Sequence, residues 1–147
     1  MAPGLKRIGF VDNNLDNFHS SVYLKLLRNG LKDEGFEVVG GTGLLRKKSA
    51  AWAEENQIAY FGSAQELNEV AEYFMVLAPS NPEKHLELCK AVFPFGKPTY
   101  VDKTFAPDLK SARAIFELAD RHKVPMQTTS ALRYSVVQEH VHEVGRK

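Results

Sequence analysis

The residues best suited to chemistry in this chain follow short apolar runs. Three groups stand out: Asp12, Asn13 and Asn14 after residues 8–11, Pro79, Ser80 and Asn81 after residues 73–78, and Asp102 and Lys103 after residues 98–101. Carboxylates, amides and an ammonium group can hydrogen-bond a ligand or exchange a proton with it. We therefore expect one polar edge, built where several strands end.

The first group belongs to an Asp/Asn-rich turn, residues 12–17, which leads into an amphipathic segment. A helix N-terminus just beyond a strand presents unpaired N–H groups, and α/β proteins commonly hold a phosphate there. Such a turn usually contains glycine, although Asn and Asp tolerate the left-handed backbone region better than other residues do. Two carboxylates would repel a phosphate unless they were protonated or paired. The composition of the turn therefore weakens the case for a phosphate site.

Side chains near this turn have alternative interpretations. Asp16 or Asn17 would cap the following helix, which we favour over ligand contact because Asn and Asp are preferred capping residues. His19 would lie in the first helical turn, where it either faces a ligand or packs against the protein, and the sequence leaves both open. A cation site made by Asp12, Asp16 and His19 is disfavoured because such sites usually have more ligands, so no metal is expected.

The segment after the fourth apolar run is more specific. Pro79 and Pro82 restrict the backbone on either side of Ser80 and Asn81. The two polar side chains would then hydrogen-bond a ribose or cap the next helix, with His85 one turn further along.

Lys103 directly follows a predicted strand, and Asp102 before it would hold the ammonium group in place. A lysine at this position would offer a hydrogen bond or a proton to a substrate oxygen. A solvated surface lysine is the commoner case when the sequence alone is considered.

Apolar runs alternate with helical patterns along the whole chain. Strands are predicted at residues 8–11, 36–41, 58–60, 73–78, 98–102 and 125–129, and helices at residues 18–31, 49–56, from 63 or 64, 82–92, 109–122 and 136–144. In the first helix, Phe18, Val22, Leu26 and Leu27 have the spacing of one buried face. This alternation predicts an α/β fold, a three-layer, doubly wound parallel sheet of Rossmann type with about six strands.

Composition narrows the function further. The 147 residues are 44% apolar, with 19 basic and 18 acidic residues and a formal net charge of +1. These values suit one globular domain and offer no electrostatic footprint for nucleic acid. No apolar run reaches transmembrane length, so no membrane partner is expected and cytoplasm is the predicted location. The single cysteine, Cys89, lies in an apolar helical pattern and is interpreted as a buried packing thiol.

The end of the second strand bears on which dinucleotide such a fold would bind. An acidic residue usually follows this strand and binds the ribose hydroxyls, whereas here Gly41, Thr42 and Gly43 are followed by Arg46. A basic group favours a 2′-phosphate, so the predicted cofactor is NAD(P), with NADP preferred to NAD. A solvated basic face is an equally good interpretation of so short a basic run.

Together, these segments resemble the N-terminal half of the Gfo/Idh/MocA oxidoreductases. Four motifs carry the resemblance: Ile8-Gly9-Phe10-Val11 with His19, Ala78-Pro79-Ser80-Asn81-Pro82 with His85, Gly96-Lys97-Pro98 through Lys103-Thr104, and Leu132-Arg133-Tyr134. The second is similar to the family's T-P-N-x-x-H segment and the third to its G-K-x-V-x-x-E-K-P segment. The chain differs by lacking the glycines of G-x-G-x-x-G and the acidic residue after the second strand. Asp102 and Thr104 also replace the family's Glu and Pro beside the lysine.

The resemblance implies the nucleotide-binding domain of an NAD(P)-dependent dehydrogenase, which transfers hydride to or from a sugar-like or polyol substrate. Lys103 would be the catalytic residue that orients the substrate oxygen. The implied cofactor-binding residues are Val11, Asp12, Asn13, Asn14, Leu15, Thr42, Arg46, Ala78, Pro79, Ser80, Asn81, His85, Asp102 and Arg133.

The resemblance also implies a domain organisation. Residues 1–134 would form the dinucleotide-binding domain, and residues 135–147 would begin a helix leading towards a missing substrate domain. The chain alone would then be inactive, and the complete protein could form a homo-oligomer. A second hypothesis is a cofactor-free, Rossmann-shaped binding or regulatory module, in which the Asp/Asn-rich turn has replaced phosphate binding.

Overall fold

The computed structural model describes residues 4–145, which form a six-stranded parallel sheet with helices on both faces. The strands are β1 (Lys6–Asp12), β2 (Phe36–Gly43), β3 (Ala59–Tyr60), β4 (Tyr73–Val76), β5 (Thr99–Val101) and β6 (Met126–Thr128). The helices are α1 (Phe18–Arg28), α2 (Arg46–Glu55), α3 (Ala64–Asn68), α4 (His85–Val92), α5 (Leu109–His122) and α6 (Val136–Val144). The strand order is β3-β2-β1-β4-β5-β6. The predicted three-layer, doubly wound fold is confirmed.

Two apolar cores, one on each face of the sheet, hold the three layers together. On one face Phe10 of β1 packs with Leu24 of α1 and Trp52 of α2. The core on the other face includes Leu67 of α3 and Ile115 of α5. Because successive side chains of a strand point to opposite faces, β1 contributes to both cores. Its carboxyl end is therefore held rigidly between the two helical layers.

Gly9, in the middle of β1, allows α3 to approach the sheet. A Cβ atom at this position would lie 2.9 Å from Cδ2 of Leu67, which is closer than packed carbon atoms come, about 3.5 Å. This glycine therefore serves helix packing, while the turn that follows β1 contains no glycine.

The face on which α1 packs differs from the prediction. Its buried residues are Ser20, Leu24 and Leu27, whereas Phe18 is 75% exposed and Leu26 is 49% exposed. A polar anchor explains the difference, because the Ser20 hydroxyl donates a hydrogen bond to a buried carboxylate at the end of β1. The spacing of apolar residues alone could not reveal this anchor.

The junction between β2 and α2 also differs from the prediction. β2 continues through Thr42 to Gly43, and α2 already begins at Arg46. Arg46 thus belongs to the first turn of a helix and not to a loop. Gly43 permits this close junction, because a Cβ atom there would lie 2.2 Å from Oγ of Ser49.

Two further expectations concern single elements. Cys89 of α4 is fully buried, and burial raises the pKa of its thiol to about 12, so the predicted packing role is confirmed. Between residues 4 and 145, no helix is both long and apolar enough to cross a membrane.

Candidate functional site

The carboxyl ends of β1, β4 and β5 meet at one edge of the sheet, where the order of the strands reverses. From β1 the chain adds β2 and β3 on one side, and β4 then pairs with the other side of β1. Ligands of open α/β sheets bind at such a switch point. The residues that follow these strands therefore define the candidate site.

At the end of β1, the Asp12 side chain is the centre of a closed hydrogen-bond network. Asp12 is 1% exposed. Its Oδ1 atom accepts from the backbone N–H of Asn14 at 3.1 Å. Its Oδ2 atom accepts from Nδ2 of Asn17 at 2.8 Å and from the Ser20 hydroxyl at 3.3 Å. All of these donors belong to the turn itself or to the start of α1.

Four more N–H groups of this turn and of the start of α1 also have acceptors within the protein. The donor and acceptor pairs are Leu15 N to Ser49 Oγ at 3.1 Å, Asp16 N to Asn14 Oδ1 at 3.2 Å, Asn17 N to Leu15 O at 2.8 Å and Ser20 N to Asn17 Oδ1 at 3.1 Å. Asn17 is thus the helix cap, as predicted. A pyrophosphate needs free N–H donors at this position, and in this conformation these N–H groups already donate to atoms of the protein.

Burial raises the pKa of Asp12 above its ordinary value, while hydrogen bonds from Asn14, Asn17, Ala78 and Ser20 act in the opposite direction. The desolvation of the carboxylate is the larger of the two effects. The turn therefore places a buried acidic group where related folds place glycine and a phosphate.

A crevice of about 210 Å³ opens beside this turn, between the ends of β1 and β2. Its lining includes Val11, Asp12, Thr42 and Arg46, together with Gly62, Ser63 and Ala64 at the start of α3 and Leu88 and Ala91 of α4. The structure thus brings together four of the residues predicted to bind a cofactor. The volume is below the range of about 300–1,000 Å³ for drug-sized ligand pockets, so the crevice suits one end of a dinucleotide.

Across the switch point, the segment after β4 makes direct contact with the first turn. Nδ2 of Asn13 donates to Oδ1 of Asn81 at 3.2 Å, and Nδ2 of Asn81 donates to Glu83 at 3.0 Å. Ser80 is exposed beside them, whereas Ala78 is buried with a positive φ of 44°. Neither polar side chain caps α4, so the predicted capping role is wrong, and ligand contact stays a prediction.

Two residues of the predicted cofactor site are instead internal. His85 is fully buried, and its ring nitrogens lie 2.9 Å from the carbonyl oxygen of Phe105 and 2.7 Å from that of Leu77. Leu15 is also fully buried, and a Cβ atom on Gly41 would lie 2.8 Å from its Cδ1 atom. In the structure their side chains therefore support the site from within and present no surface to a ligand.

At the end of β5, the carboxylate of Asp102 is fully buried and accepts three hydrogen bonds. The donors are the backbone N–H of Lys103 at 2.8 Å, the Tyr100 hydroxyl at 3.1 Å and Nδ1 of His19. The expectation that Asp102 holds the Lys103 ammonium group is wrong, because its ionic partner is His19. These two residues lie 83 positions apart in the sequence, and no local pattern connects them.

The remaining predicted residues lie at the rim of this edge. Lys103 is half-buried, and its ammonium group has no carboxylate partner within residues 4–145. Pro79 is half-buried, and Arg133 is exposed in a short 3-10 turn before α6. Lys103 directly follows Asp102, to which its backbone N–H donates.

A second, larger concavity lies on the α1 face of the sheet and was missed by the sequence analysis. This apolar groove has a volume of about 770 Å³ and runs beside α1 over β1, β4, β5 and β6. Tyr23 and Tyr100 line it and join their hydroxyl groups at 3.2 Å. Its side chains come from six separate segments, which is why no sequence motif could reveal it.

The chain matches no protein-family model and no curated protein, whereas solved structures share its fold. The biliverdin reductase of Synechocystis sp. PCC 6803, solved with biliverdin and NADP+, has a TM-score of 0.73 at 14% identity, over 94% of this chain and 42% of its own. The UDP-N-acetylglucosamine 3-dehydrogenase of Acidithiobacillus ferrooxidans has a TM-score of 0.73 at 16% identity, over 96% and 44%. GenD2 of gentamicin A biosynthesis, solved with NAD, has a TM-score of 0.77 at 14% identity, over 98% and 40%.

These comparisons define the class of fold to which the chain belongs. It is an α/β domain of the Rossmann type, as found in NAD(P)-dependent oxidoreductases. The matched structures are of the Gfo/Idh/MocA type, and the part matched is their Rossmann-like domain. The chain spans about two fifths of their length.

Proposed function

We propose that the chain is the nucleotide-binding domain of an NAD(P)-dependent oxidoreductase of the Gfo/Idh/MocA type. The observation that carries this proposal is the crevice beside β1 and β2, which unites Val11, Thr42 and Arg46 at the switch point of the sheet. Fold likeness to oxidoreductases solved with NADP+ and with NAD supports the class of ligand. The complete protein would act on a sugar-like or polyol substrate in the cytoplasm, with a substrate domain after residue 134 and with homo-oligomer formation as a further part of the proposal.

The residues present fit a dinucleotide unevenly. The crevice is lined by apolar and hydroxyl side chains and by Asp12, with exposed Arg46 at its rim. The arginine suits a nucleoside with a 2′-phosphate and favours NADP, whereas Asp12 is unfavourable for a phosphate beside it.

Each amide NH2 of Asn13 and Asn14 donates one N–H within the protein, to Asn81 and to the Asp16 carbonyl oxygen, and its second N–H would be the donor to the pyrophosphate. A bound nicotinamide would supply the hydride chemistry. Lys103 would hydrogen-bond the substrate oxygen from the end of β5.

The direct test is thermal unfolding with NADPH, NADH, ADP-ribose and adenosine. A ligand at about 100 times its Kd stabilises the folded state by about 2.7 kcal/mol, so a rise of several degrees in Tm is expected for NADPH. Ala91 lies exposed on the crevice wall, and Ala91→Trp should abolish the shift by filling the crevice. Ala51→Trp, also exposed but on the outer side of α2, is the matched control. No shift with either dinucleotide would refute the proposal.

The second candidate function is the cofactor-free binding or regulatory module. One observation favours it specifically: the backbone N–H groups of the first turn are bonded to Asp12, Ser49 and neighbouring atoms of the turn. A turn that satisfies its own donors needs no phosphate in order to be stable.

The double substitution Asp12→Gly with Asn14→Gly separates the two candidates. A large gain in NADPH affinity would show that the native turn works against the cofactor, which supports the module. An unchanged, measurable affinity would support an Asn-lined turn that binds the pyrophosphate. Asp16→Gly is the control, since the Asp16 side chain is exposed and outside the buried network.

A further inference from the structure

His19 and His85, the two largely buried histidines near the candidate site, have different hydrogen-bond arrangements. Both ring nitrogens of His85 lie within hydrogen-bond distance of backbone carbonyl oxygens, those of Phe105 and Leu77, as expected of a histidine that only supports the fold. His19 uses Nδ1 for the buried carboxylate of Asp102. Among residues 4–145 its Nε2 atom has no hydrogen-bond partner, and the side chain is 19% exposed.

The partners of Asp102 determine which nitrogen of His19 carries the proton. A carboxylate accepts hydrogen bonds, so a neutral His19 donates from Nδ1–H and keeps a free lone pair on Nε2. Asp102 also accepts from the Tyr100 hydroxyl at 3.1 Å. Burial raises the pKa of Tyr100, so this phenol keeps its proton, for which Asp102 and the carbonyl oxygen of Thr129, both at 3.1 Å, are alternative acceptors. The backbone N–H of Lys103 is a further donor to Asp102.

The ring of His19 is also held in place by its neighbours. Its centroid lies 6.0 Å from that of Phe18 and 5.8 Å from that of Tyr23, the latter at an interplanar angle of 80°. Tyr23 is in turn joined to Tyr100 through their hydroxyl groups at 3.2 Å. Aromatic contacts of this kind restrict ring rotation. Together with the hydrogen bond from Nδ1 to Asp102 at the end of β5, these contacts orient the ring.

We propose that His19 is the acid–base residue of this site, with Asp102 as its positioning residue. The proposal rests on the proposed function. In oxidation of a substrate alcohol, Nε2 of His19 accepts the hydroxyl proton while the C–H bond releases its hydride to the oxidised nicotinamide. The products are a carbonyl compound, reduced nicotinamide and an imidazolium cation, which the buried Asp102 carboxylate stabilises. When the carbonyl compound is reduced, the proton and the hydride move in the opposite sense. Lys103 orients the substrate oxygen in both reactions.

The first part of the test measures the state of the ring without any substrate. Long-range proton–nitrogen NMR spectra of 15N-labelled protein should show neutral His19 with its proton on Nδ1. Carbethoxylation by diethyl pyrocarbonate, located by mass spectrometry, should modify His19 at Nε2 and leave His85 unmodified. Asp102→Asn should slow the modification of His19 by roughly tenfold, because an Asn amide N–H can donate to Nδ1 and leave the ring proton on Nε2. Asp16→Asn, which removes an exposed carboxylate of the turn after β1, should leave the rate of His19 modification unchanged.

The second part measures proximity to the cofactor. NADPH should protect His19 from carbethoxylation while exposed His140 and His142 of α6 react as before. A proton on Nε2, or equal reactivity in the Asp102→Asn variant, would overturn the inference. NADPH binding without protection would also overturn it and would leave the proposed function intact. Absence of NADPH binding would instead refute the proposed function. If Asp102→Asn does not fold, the tautomer of wild-type His19 decides the question.

Discussion

The ends of β1 and β5 present two buried carboxylates in closely similar positions, with opposite consequences. Asp12 is bonded to donors of its own turn, of the first turn of α1 and of Ala78 after β4, so all of these donors only hold it in place. Asp102 is bonded to Nδ1 of His19 of α1, whose second ring nitrogen has no hydrogen-bond partner among residues 4–145. A buried carboxylate at a strand end can therefore either stabilise a turn or orient a reactive side chain, depending on which groups donate hydrogen bonds to it.

The burial of the first turn predicts that it is part of the core, whereas Ser80, in the segment after β4, lies outside it. Leu15 of the turn is fully buried, and Leu15→Ala should destabilise the domain by about 3 kcal/mol because it removes packed methyl groups and leaves a cavity. Ser80 is exposed, and Ser80→Ala should change stability by less than about 0.5 kcal/mol. Urea denaturation measures both. If both substitutions changed stability by equally small amounts, the turn after β1 would not be part of the core.

A smaller effect is expected from the charge of Asp12. Its pKa in the folded state lies above the ordinary value of 3.8 because of burial. Between those two values the unfolded chain has released the proton while the folded protein keeps it, so stability falls as pH rises through this window. Above the raised pKa, Asp12 is ionised in both states, and its contribution to stability no longer changes with pH. Asp12→Asn removes this contribution, and the stability of wild type relative to the variant should therefore decline with rising pH in the acid range.

Denaturant midpoints at a series of pH values measure this difference, with Asp16→Asn as the control for an exposed carboxylate. A difference that grows as pH rises would mean that hydrogen bonds dominate burial at Asp12, contrary to the assignment above.

The smallest effect concerns the choice between the two dinucleotides. Arg46 lines the crevice and is exposed, so its attraction for a 2′-phosphate is worth about 1 kcal/mol, as for exposed ion pairs. Arg46→Ala should therefore reduce the preference for NADPH over NADH by about fivefold in a fluorescence titration. Lys47→Ala, exposed on the same helix, tests whether a general basic surface has the same effect. Equal losses in the two variants would favour the solvated basic face.

Much of the fold is predictable from the sequence because its signals are local. The limits of α5 and α6 agree with the prediction residue for residue, since an Asp108 cap and a Ser135 cap mark their starts. The near-continuous apolar run before Pro79 indicates a strand covered on both faces. Its position beside β1 is decided by the structure, because the right-handed crossover rule fixes the handedness of a connection and not the neighbour of a strand.

The candidate site is less predictable because its decisive contacts join distant segments. The sequence places Asn13, Asn81 and Asp102 at strand ends, and the structure unites the first two through a side-chain hydrogen bond. His85 belongs to the same sequence segment as Asn81, yet its ring points into the core. Local spacing cannot distinguish the two outcomes, because the direction of a side chain depends on how the whole helix packs.

By itself, the sequence determined that the chain is a Rossmann-type domain whose polar residues follow β1, β4 and β5, and that its first turn lacks the glycines of a phosphate loop. Hydrophobic periodicity and turn chemistry act over a few residues, so they can be read along the chain. The tertiary structure decided that Asp12 is sealed inside that turn, that Asp102 pairs with His19 and not with the Lys103 ammonium group, and that α1 buries Ser20. Those outcomes depend on burial and on partners from other elements, which exist only once the sheet has assembled.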